Sequence, residues 1–298
     1  RTMKRLLRRK SGEDIAIGIF VYGITFIYAV IALVPFLNVV AKAFSSEWAL
    51  VSGSVTIYPI GFQLDTLKYV LTSSMFLRSF VNSVIVTVVG TALSMAVTGL
   101  AAYPLSKPSL PMRKPLLILF VFTMLFSGGM IPTYLLMKNL HLTNTLLVLF
   151  LPGAINVYNM LLIKNYFESI PESLEESARI DGANNFIVLV RIVMPVALPV
   201  FATVALFAAV GLWNDYLSPA IYNTQISVKT LPLYLKDLLT NIADDPNLAA
   251  SSDDMMANLV PEGVRGASIV ASTLPILLVY PFLQKYFIKG VMIGSVKG

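Results

Sequence analysis

Residues 169–199, SIPESLEESARIDGANNFIVLVRIVMPVALP, form a polar segment with a regular helical pattern between strongly apolar stretches. Ser169 and Glu172 have the spacing of a capping box at the start of a helix. A spacing of i, i+3, i+4 and i+7 predicts one charged helix face, formed by Glu172, Glu175, Glu176 and Arg179. Gly182 stands where a left-handed helix end is expected, and Asn184 or Asn185 can cap a second helix. The segment therefore predicts two short helices joined by a glycine turn, as a docking element.

The composition is that of an integral membrane protein. Of the 298 residues, 56% are hydrophobic and 13% charged, and the mean hydropathy is +0.76, whereas soluble domains carry about 25% charged residues. Six charge-free stretches are long enough to cross a bilayer as helices: 15–41, 79–106, 115–137, 139–163, 192–214 and 266–284. We therefore predict an all-α polytopic membrane protein with six transmembrane helices, forming a single transmembrane domain over residues 1–298.

The positive charges predict the orientation of these spans. With the N-terminus in the cytoplasm, the inner segments hold 15 of the 22 Lys and Arg and 7 of the 16 Asp and Glu, as the positive-inside rule requires. Both termini and residues 169–191 are then cytoplasmic, and residues 42–78 and 215–265 are extracytoplasmic loops. The apolar stretch after the basic residues 1–10 is too long for a signal peptide, so we expect a retained first span.

Several kinds of chemistry are missing from the sequence. There is no cysteine and one histidine, and neither a phosphate-binding loop nor a hydrolase signature occurs. The acidic pairs at 244–245 and 253–254 lack the spacing of a calcium loop. The net charge of +6 follows the membrane orientation, so no nucleic-acid partner is expected. We predict that the chain is not an enzyme and holds no metal or cofactor. Because the spans also lack ionisable residues at depth, energy for uphill transport must come from a partner on residues 169–191.

Two groups of polar residues lie in or at the ends of predicted spans and are candidates for a substrate pathway: Asn156, Tyr158 and Asn159, and Trp213, Asn214 and Asp215. Hydrogen bonds between helices explain amides within a span equally well. Trp213 also suits the aromatic belt at a membrane interface, and Asp215 suits a helix cap at the outer end of a span. Both interpretations of these residues stay open.

The cytoplasmic segment resembles the EAA loop of ABC importer permeases, whose pattern is E-A-A, three residues, G, nine residues, then I-x-L-P. The matching residues are Glu176, Ser177, Ala178, Gly182, Ile192 and Pro195, with Ser177 and Met194 as mild departures. Three further stretches resemble the smaller six-span permease of maltose-type sugar importers: WNDYLSPAIY at 213–222, TLPLYL at 230–235 and QKYFIKGVMIGSVKG at 284–298. The segment GGMIPTYLLMKNLHLTNT at 128–145 is similar to the subgroup for complex oligosaccharides, including alginate-type importers.

This resemblance implies a type I importer permease in a bacterial inner membrane, assembled with a second permease, two ATPase subunits and an extracytoplasmic solute-binding protein. ATP and Mg²⁺ would bind to the ATPase subunits and not to this chain. It also implies an ATPase-coupling site formed by Glu175, Glu176, Ser177, Ala178, Arg179, Asp181, Gly182 and Ala183, with Ile192 and Pro195 completing the motif. The alternatives are a stand-alone secondary transporter or channel, which predicts buried charges or an inverted repeat, and an importer permease for a solute other than sugar.

Overall fold

The computed structural model describes residues 12–244 and 260–295, with side chains over 16–240 and 260–278. Within these residues the chain forms helices and no strands, as predicted. The helices are α1 Gly12–Ala43, α2 Glu47–Val51, α3 Asp65–Thr72, α4 Ser74–Ser106, α5 Arg113–Leu125, α6 Met130–Asn139, α7 Val157–Glu168, α8 Glu172–Ile180, α9 Asn185–Val196, α10 Leu198–Asn214, α11 Leu217–Tyr222, α12 Leu231–Asp244 and α13 Pro261–Ser295. The predictions for the two chain ends and for most of the acidic pairs fall on residues 1–11, 245–259 and 296–298, outside the described residues.

Two of the described helices are by themselves long and apolar enough to cross a membrane. They are α1, whose most apolar 18-residue stretch has a mean hydropathy of 2.4, and α4, whose corresponding stretch has a mean hydropathy of 2.0. Two further candidates are bent pairs, α5 with α6 at 107° and α9 with α10 at 84°. The described residues thus contain two such helices, or up to four if each bent pair is one span. The predicted stretch 266–284 lies within α13, so a six-span arrangement is compatible with the structure.

Two predicted spans differ from the continuous helices that their composition suggested. The stretch 115–137 is interrupted between α5 and α6, where Gly129 has a φ of +88°, a backbone conformation that glycine adopts without steric cost. The stretch 139–163 contains a short 3₁₀ turn at Leu147–Leu149, and α7 begins only at Val157. Apolar composition therefore indicated contact with lipid or core, but it did not indicate where the helix was broken.

A third predicted span, 192–214, is divided by the bend between α9 and α10. The division falls at Ala197, and Pro199 lies in the first turn of α10. Proline has no N–H to continue the hydrogen-bond ladder of the preceding helix, but it suits a first turn. The predicted span thus comprises the last turns of α9 followed by α10, a helix of 17 residues.

The described chain divides into two compact units, the first formed by residues up to Leu71 with Asp244–Ala271. Within it the side chains of α1 are exposed until its last turns, where Ala41 becomes buried. The Ser45 hydroxyl donates to the Ala41 carbonyl (2.7 Å) and accepts from the Ile60 N–H (3.0 Å). These bonds fold the loop after α1 back against the end of that helix.

The second unit comprises Thr72–Ala243 and the residues from Ser272 onward, and its centre is the packing of α4 against α7 and α10. The core contains Met160, Ile163 and Phe167 from α7, all at most 1% exposed. A Cβ atom on Gly99 of α4 would lie 3.0 Å from the ring of Phe201 on α10. Small residues on α4 thus permit close approach of its neighbours, as is usual in membrane helix packing.

Candidate functional site

Helix α8, in the segment predicted to be cytoplasmic, begins three residues later than the predicted cap. The Ser169 hydroxyl donates to the Tyr166 carbonyl (2.7 Å) at the end of α7, and Pro171 is the residue before α8. The predicted capping box between Ser169 and Glu172 is therefore wrong. The reason is local, because the hydroxyl of Ser169 is used to close the preceding helix and is not available to the next one.

Glu175 faces the protein interior and does not share the exposed charged face predicted for α8. The residue is 5% exposed, and its carboxylate forms an ion pair with Lys107 just after α4. The Tyr103 hydroxyl donates to Glu175 Oε2 (3.2 Å), and Lys107 Nζ lies 4.9 Å above the Tyr103 ring. Arg179, one turn later, has its guanidinium 3.8 Å from the same carboxylate and is half exposed. Glu175 therefore fastens α8 to the C-terminal end of α4.

The opposite side of α8 carries exposed charged and apolar side chains. Glu176 and Ser177 are exposed, and Ile180 is 86% exposed. Ala178 is buried next to Glu175, because residues three apart share one side of a helix. The exposed side of α8 thus combines an apolar side chain with a carboxylate, while the other side of the helix is anchored.

The glycine turn has the predicted geometry. Gly182 has a φ of +83°, and the Ala183 N–H donates to the Ala178 carbonyl (2.9 Å), which closes the end of α8. Asp181 is exposed at this end. The Asn184 carboxamide accepts from the Ile187 N–H (2.9 Å), so the predicted cap of the second helix is confirmed.

The two remaining motif residues lie on α9. Ile192 is half-buried and packs against the core of the second unit. Pro195 is exposed in the last turn of α9. The motif thus continues along α9 to the bend at Ala197, so the sequence pattern covers the exposed helix α8, the turn and the helix that leads into α10.

A second ion-pair cluster at the same end of the unit was not identified from the sequence. Arg113, at the start of α5, pairs with Glu168 at the end of α7, and its Nε donates to the Leu105 carbonyl of α4 (2.8 Å). Lys164 pairs with the same carboxylate at 2.7 Å. The i, i+4 spacing of Lys164 and Glu168 was a visible signal, whereas Arg113 is 55 residues from its partner. The cluster joins the ends of α4, α5 and α7.

A cavity of about 710 Å³ lies in the second unit between α4, α7, α10 and α11. Five of the six candidate pathway residues line it: Asn156, Tyr158, Asn159, Asn214 and Asp215. Trp213 does not line it, because its ring packs edge-on against Phe80 at 6.1 Å. The sequence did not single out Ser94, Ser218 and Tyr222, which also contribute polar groups to the wall.

Several of these polar side chains are already engaged. Asn156 caps α7 by accepting from the Asn159 N–H (3.0 Å), and the Asn214 amide donates to the Val210 carbonyl (2.9 Å). Asp215 Oδ1 accepts from the N–H groups of Leu217 and Ser218, both at 3.0 Å. Asp215 thus ends α10, binds the first N–H groups of α11 and also lines the cavity wall, so its two interpretations are compatible.

Comparisons with known proteins agree on one family. The sequence profile described as "Binding-protein-dependent transport system inner membrane component" matches residues 66–293. Protein LplC of Bacillus subtilis (strain 168) is 48% identical over 90% of each chain. The polygalacturonan/rhamnogalacturonan transport system permease protein YtcP of the same strain is 41% identical over 93% of this chain and 97% of that protein. A chain in the crystal structure of a bacterial ABC transporter involved in the import of the acidic polysaccharide alginate superposes with a TM-score of 0.86 and 33% identity, over 93% of this chain and 98% of that chain.

Proposed function

Because this chain belongs to the family of binding-protein-dependent transport system inner membrane components, we propose that it is the permease subunit of an ATP-driven importer for oligosaccharides. The names of YtcP and of the alginate transporter support a cargo derived from polysaccharides. Full-length similarity to importer permeases leaves the stand-alone transporter without support. It also favours sugar over the other solutes considered.

The observation that carries the proposal is the two-sided character of α8. One side is fixed to the chain through Glu175 and Ala178, whereas the other exposes Glu176 and Ile180. A helix lying on the membrane usually carries Lys and Arg on its polar face, but α8 exposes carboxylates. A rigidly held helix with a mixed apolar and acidic face fits a cleft on a protein, and in this family setting the partner is an ATPase subunit.

The remaining components of the proposed assembly follow from that role. Two ATPase subunits bind ATP and Mg²⁺ in the cytoplasm, and this chain itself catalyses no reaction. A second permease completes the pathway, and a solute-binding protein delivers cargo on the opposite side of the bacterial inner membrane. The excess of Lys and Arg in the inner segments supports cytoplasmic N- and C-termini.

Two connections can transmit a displacement of α8 to the cavity wall. The first is the Glu175–Lys107 ion pair, which connects α8 to α4, and α4 contributes Gly90 and Ser94 to the cavity wall. The second is the chain itself, which continues from α8 through α9 to α10, another helix of the wall. An ATPase that shifts α8 therefore shifts two helices that surround the proposed cargo path.

Charge reversal on the exposed side of α8 tests the proposal. In the detergent-solubilised importer, Glu176→Arg and Ile180→Glu are each expected to reduce co-purification of the ATPase subunit at least tenfold, because the first reverses a charge of the docking face and the second places a charge in its apolar contact. Asp65→Arg is the control, since it makes the same charge change at an exposed site on α3, in the predicted outer loop. Wild-type recovery of the ATPase subunit with both α8 variants would contradict the docking role.

A further inference from the structure

Two polar side chains in the cavity wall are buried and have no hydrogen-bond partner among the described residues. Ser94 on α4 is 5% exposed and Asn159 on α7 is 6% exposed, and both line the cavity. Serine within a helix often donates to the carbonyl four residues earlier, and the Ser94 hydroxyl makes no such bond. The two groups come from different helices that pack against each other, and both line the same cavity.

Unpaired polar groups in such a position are available to a ligand. Most buried polar side chains in proteins are hydrogen-bonded, and a group at a cavity surface can form its hydrogen bond with whatever occupies the cavity. The neighbouring Asn156 and Asn214 satisfy this rule with backbone partners, as described above. Ser94 and Asn159 are the exceptions at this site, and both reach the cavity surface.

We propose that this cavity is a carbohydrate-binding subsite, in which Asn159 and Ser94 hydrogen-bond directly to one sugar unit of the oligosaccharide during its passage. The identification of the cargo as an oligosaccharide rests on the function proposed above. The new content is that this chain contacts the cargo itself, and that these two side chains make the contact.

The chemistry of the wall suits a sugar better than an ion or an apolar solute. A carboxamide and a hydroxyl each donate and accept, which matches the donor and acceptor character of sugar hydroxyl groups. The wall also contains the aromatic rings of Tyr158 and Tyr222 and apolar side chains such as Phe207, against which the C–H faces of a sugar ring can pack. The volume of about 710 Å³ lies within the usual range of about 300–1,000 Å³ for small-molecule sites.

Charge distribution in the wall is consistent with binding through hydroxyl groups. Among the residues that the structure describes, no Lys or Arg lines the cavity. Asp215 contributes the single carboxylate among these described residues, and its Oδ1 accepts hydrogen bonds from two N–H groups at the start of α11. Recognition at this subsite therefore depends on hydrogen bonds from neutral groups and not on an ion pair with the cargo.

The first test measures uptake by the complete importer in proteoliposomes, with its own binding protein. The probes are radiolabelled trigalacturonate, arabinotriose and maltotriose, and the variants are Asn159→Leu and Ser94→Ala. For a trisaccharide that the wild type imports, each variant is expected to lower the uptake rate about 3- to 10-fold, since each loses one hydrogen bond. Thr203→Val is the control, because Thr203 is equally buried but its hydroxyl donates to the Pro199 carbonyl and does not line the cavity.

Uptake by both variants at the rate of the Thr203→Val control would overturn the subsite while leaving the importer function intact. Failure of the wild-type importer to take up any of the three sugars would instead count against the oligosaccharide function on which the subsite rests. Co-purification of the ATPase subunit is measured in parallel, so that a variant with a disrupted fold is recognised by loss of assembly.

A second test does not depend on transport rates. The chain contains no cysteine, so Ser94→Cys introduces a single thiol into the cavity wall. The imported trisaccharide is expected to slow alkylation of this thiol by N-ethylmaleimide at least threefold in a fixed nucleotide state. Ser109→Cys, in the exposed loop after α4, is expected to react at the same rate with and without the sugar. Equal reactivity of the Ser94→Cys thiol in both conditions would overturn the proposal.

Discussion

Replacing Glu175 by glutamine tests whether the buried ion pair anchors the docking helix. The substitution keeps the size of the side chain and an acceptor for the Tyr103 hydroxyl, but it removes the charge that faces Lys107. Loss of one partner of a buried ion pair costs about 3–5 kcal/mol. The Lys107 side chain is 20% exposed and regains some hydration, so we expect a cost of about 2 kcal/mol. This shifts the equilibrium between anchored and released α8 about 30-fold.

The consequence is measured as sugar imported per ATP hydrolysed in proteoliposomes. Because Glu176 and Ile180 are unchanged, the ATPase subunit is expected to remain bound to Glu175→Gln, while the transport ratio falls several-fold. The exchanged pair Lys107→Glu with Glu175→Lys is expected to recover part of that ratio. Glu172→Gln is the control, since this carboxylate is exposed on the same helix. A wild-type ratio in Glu175→Gln, or an exchanged pair no better than the single variants, would refute the anchoring role.

Two further predictions concern glycines, each with a matched control and a melting temperature of the purified importer as the measurement. Gly182→Ala is expected to lower the free energy of unfolding by about 1 kcal/mol, because the φ of +83° at this position is unfavourable for alanine, although no side chain lies near enough to clash. Gly182→Asn is expected to lower it less. Equal melting temperatures for the two variants would contradict this prediction. Gly90→Ala would place its Cβ atom 2.7 Å from Leu212 and 2.8 Å from Phe150, so we expect a loss of about 1–3 kcal/mol, whereas Gly211→Ala in the same cavity wall meets nothing within 4 Å. An unchanged melting temperature in Gly90→Ala would show that the contact can relax.

Local chemistry explains which features of residues 169–199 could be predicted. The turn at Gly182 and the cap at Asn184 depend on residues a few positions apart, and both have the predicted geometry. The burial of Glu175 depends on Lys107, which is 68 residues away. The i, i+3, i+4, i+7 pattern therefore identified a charged helix correctly, but it could not indicate that one of its charges has a counter-ion on another helix.

The same distinction applies to the spans and the cavity. Charge-free composition identified the stretches that form α1 and α4, but the breaks near Gly129 and Ala197 arise from backbone conformation and proline placement. Polar residues within apolar stretches led to five of the cavity residues. Trp213 was also a candidate but does not line the cavity. An aromatic ring at the end of a span can either face a cavity or pack on another ring, and the ring of Trp213 packs on Phe80.

The 84° bend between α9 and α10 allows these two helices to act as the two arms of a lever, with its pivot at Ala197. The pivot is seated firmly, since Val193 and Ala197 are both fully buried. At 1.5 Å per residue the long arm, α10, is about 25 Å long, and the short arm, α9, has fewer residues, of which Leu189–Val193 are π-helical. If the two helices turn as one rigid body about Ala197, a displacement at the far end of α9 becomes a larger one at the far end of α10, where Asn214 and Asp215 line the cavity. Such a movement would be amplified and turned through nearly a right angle.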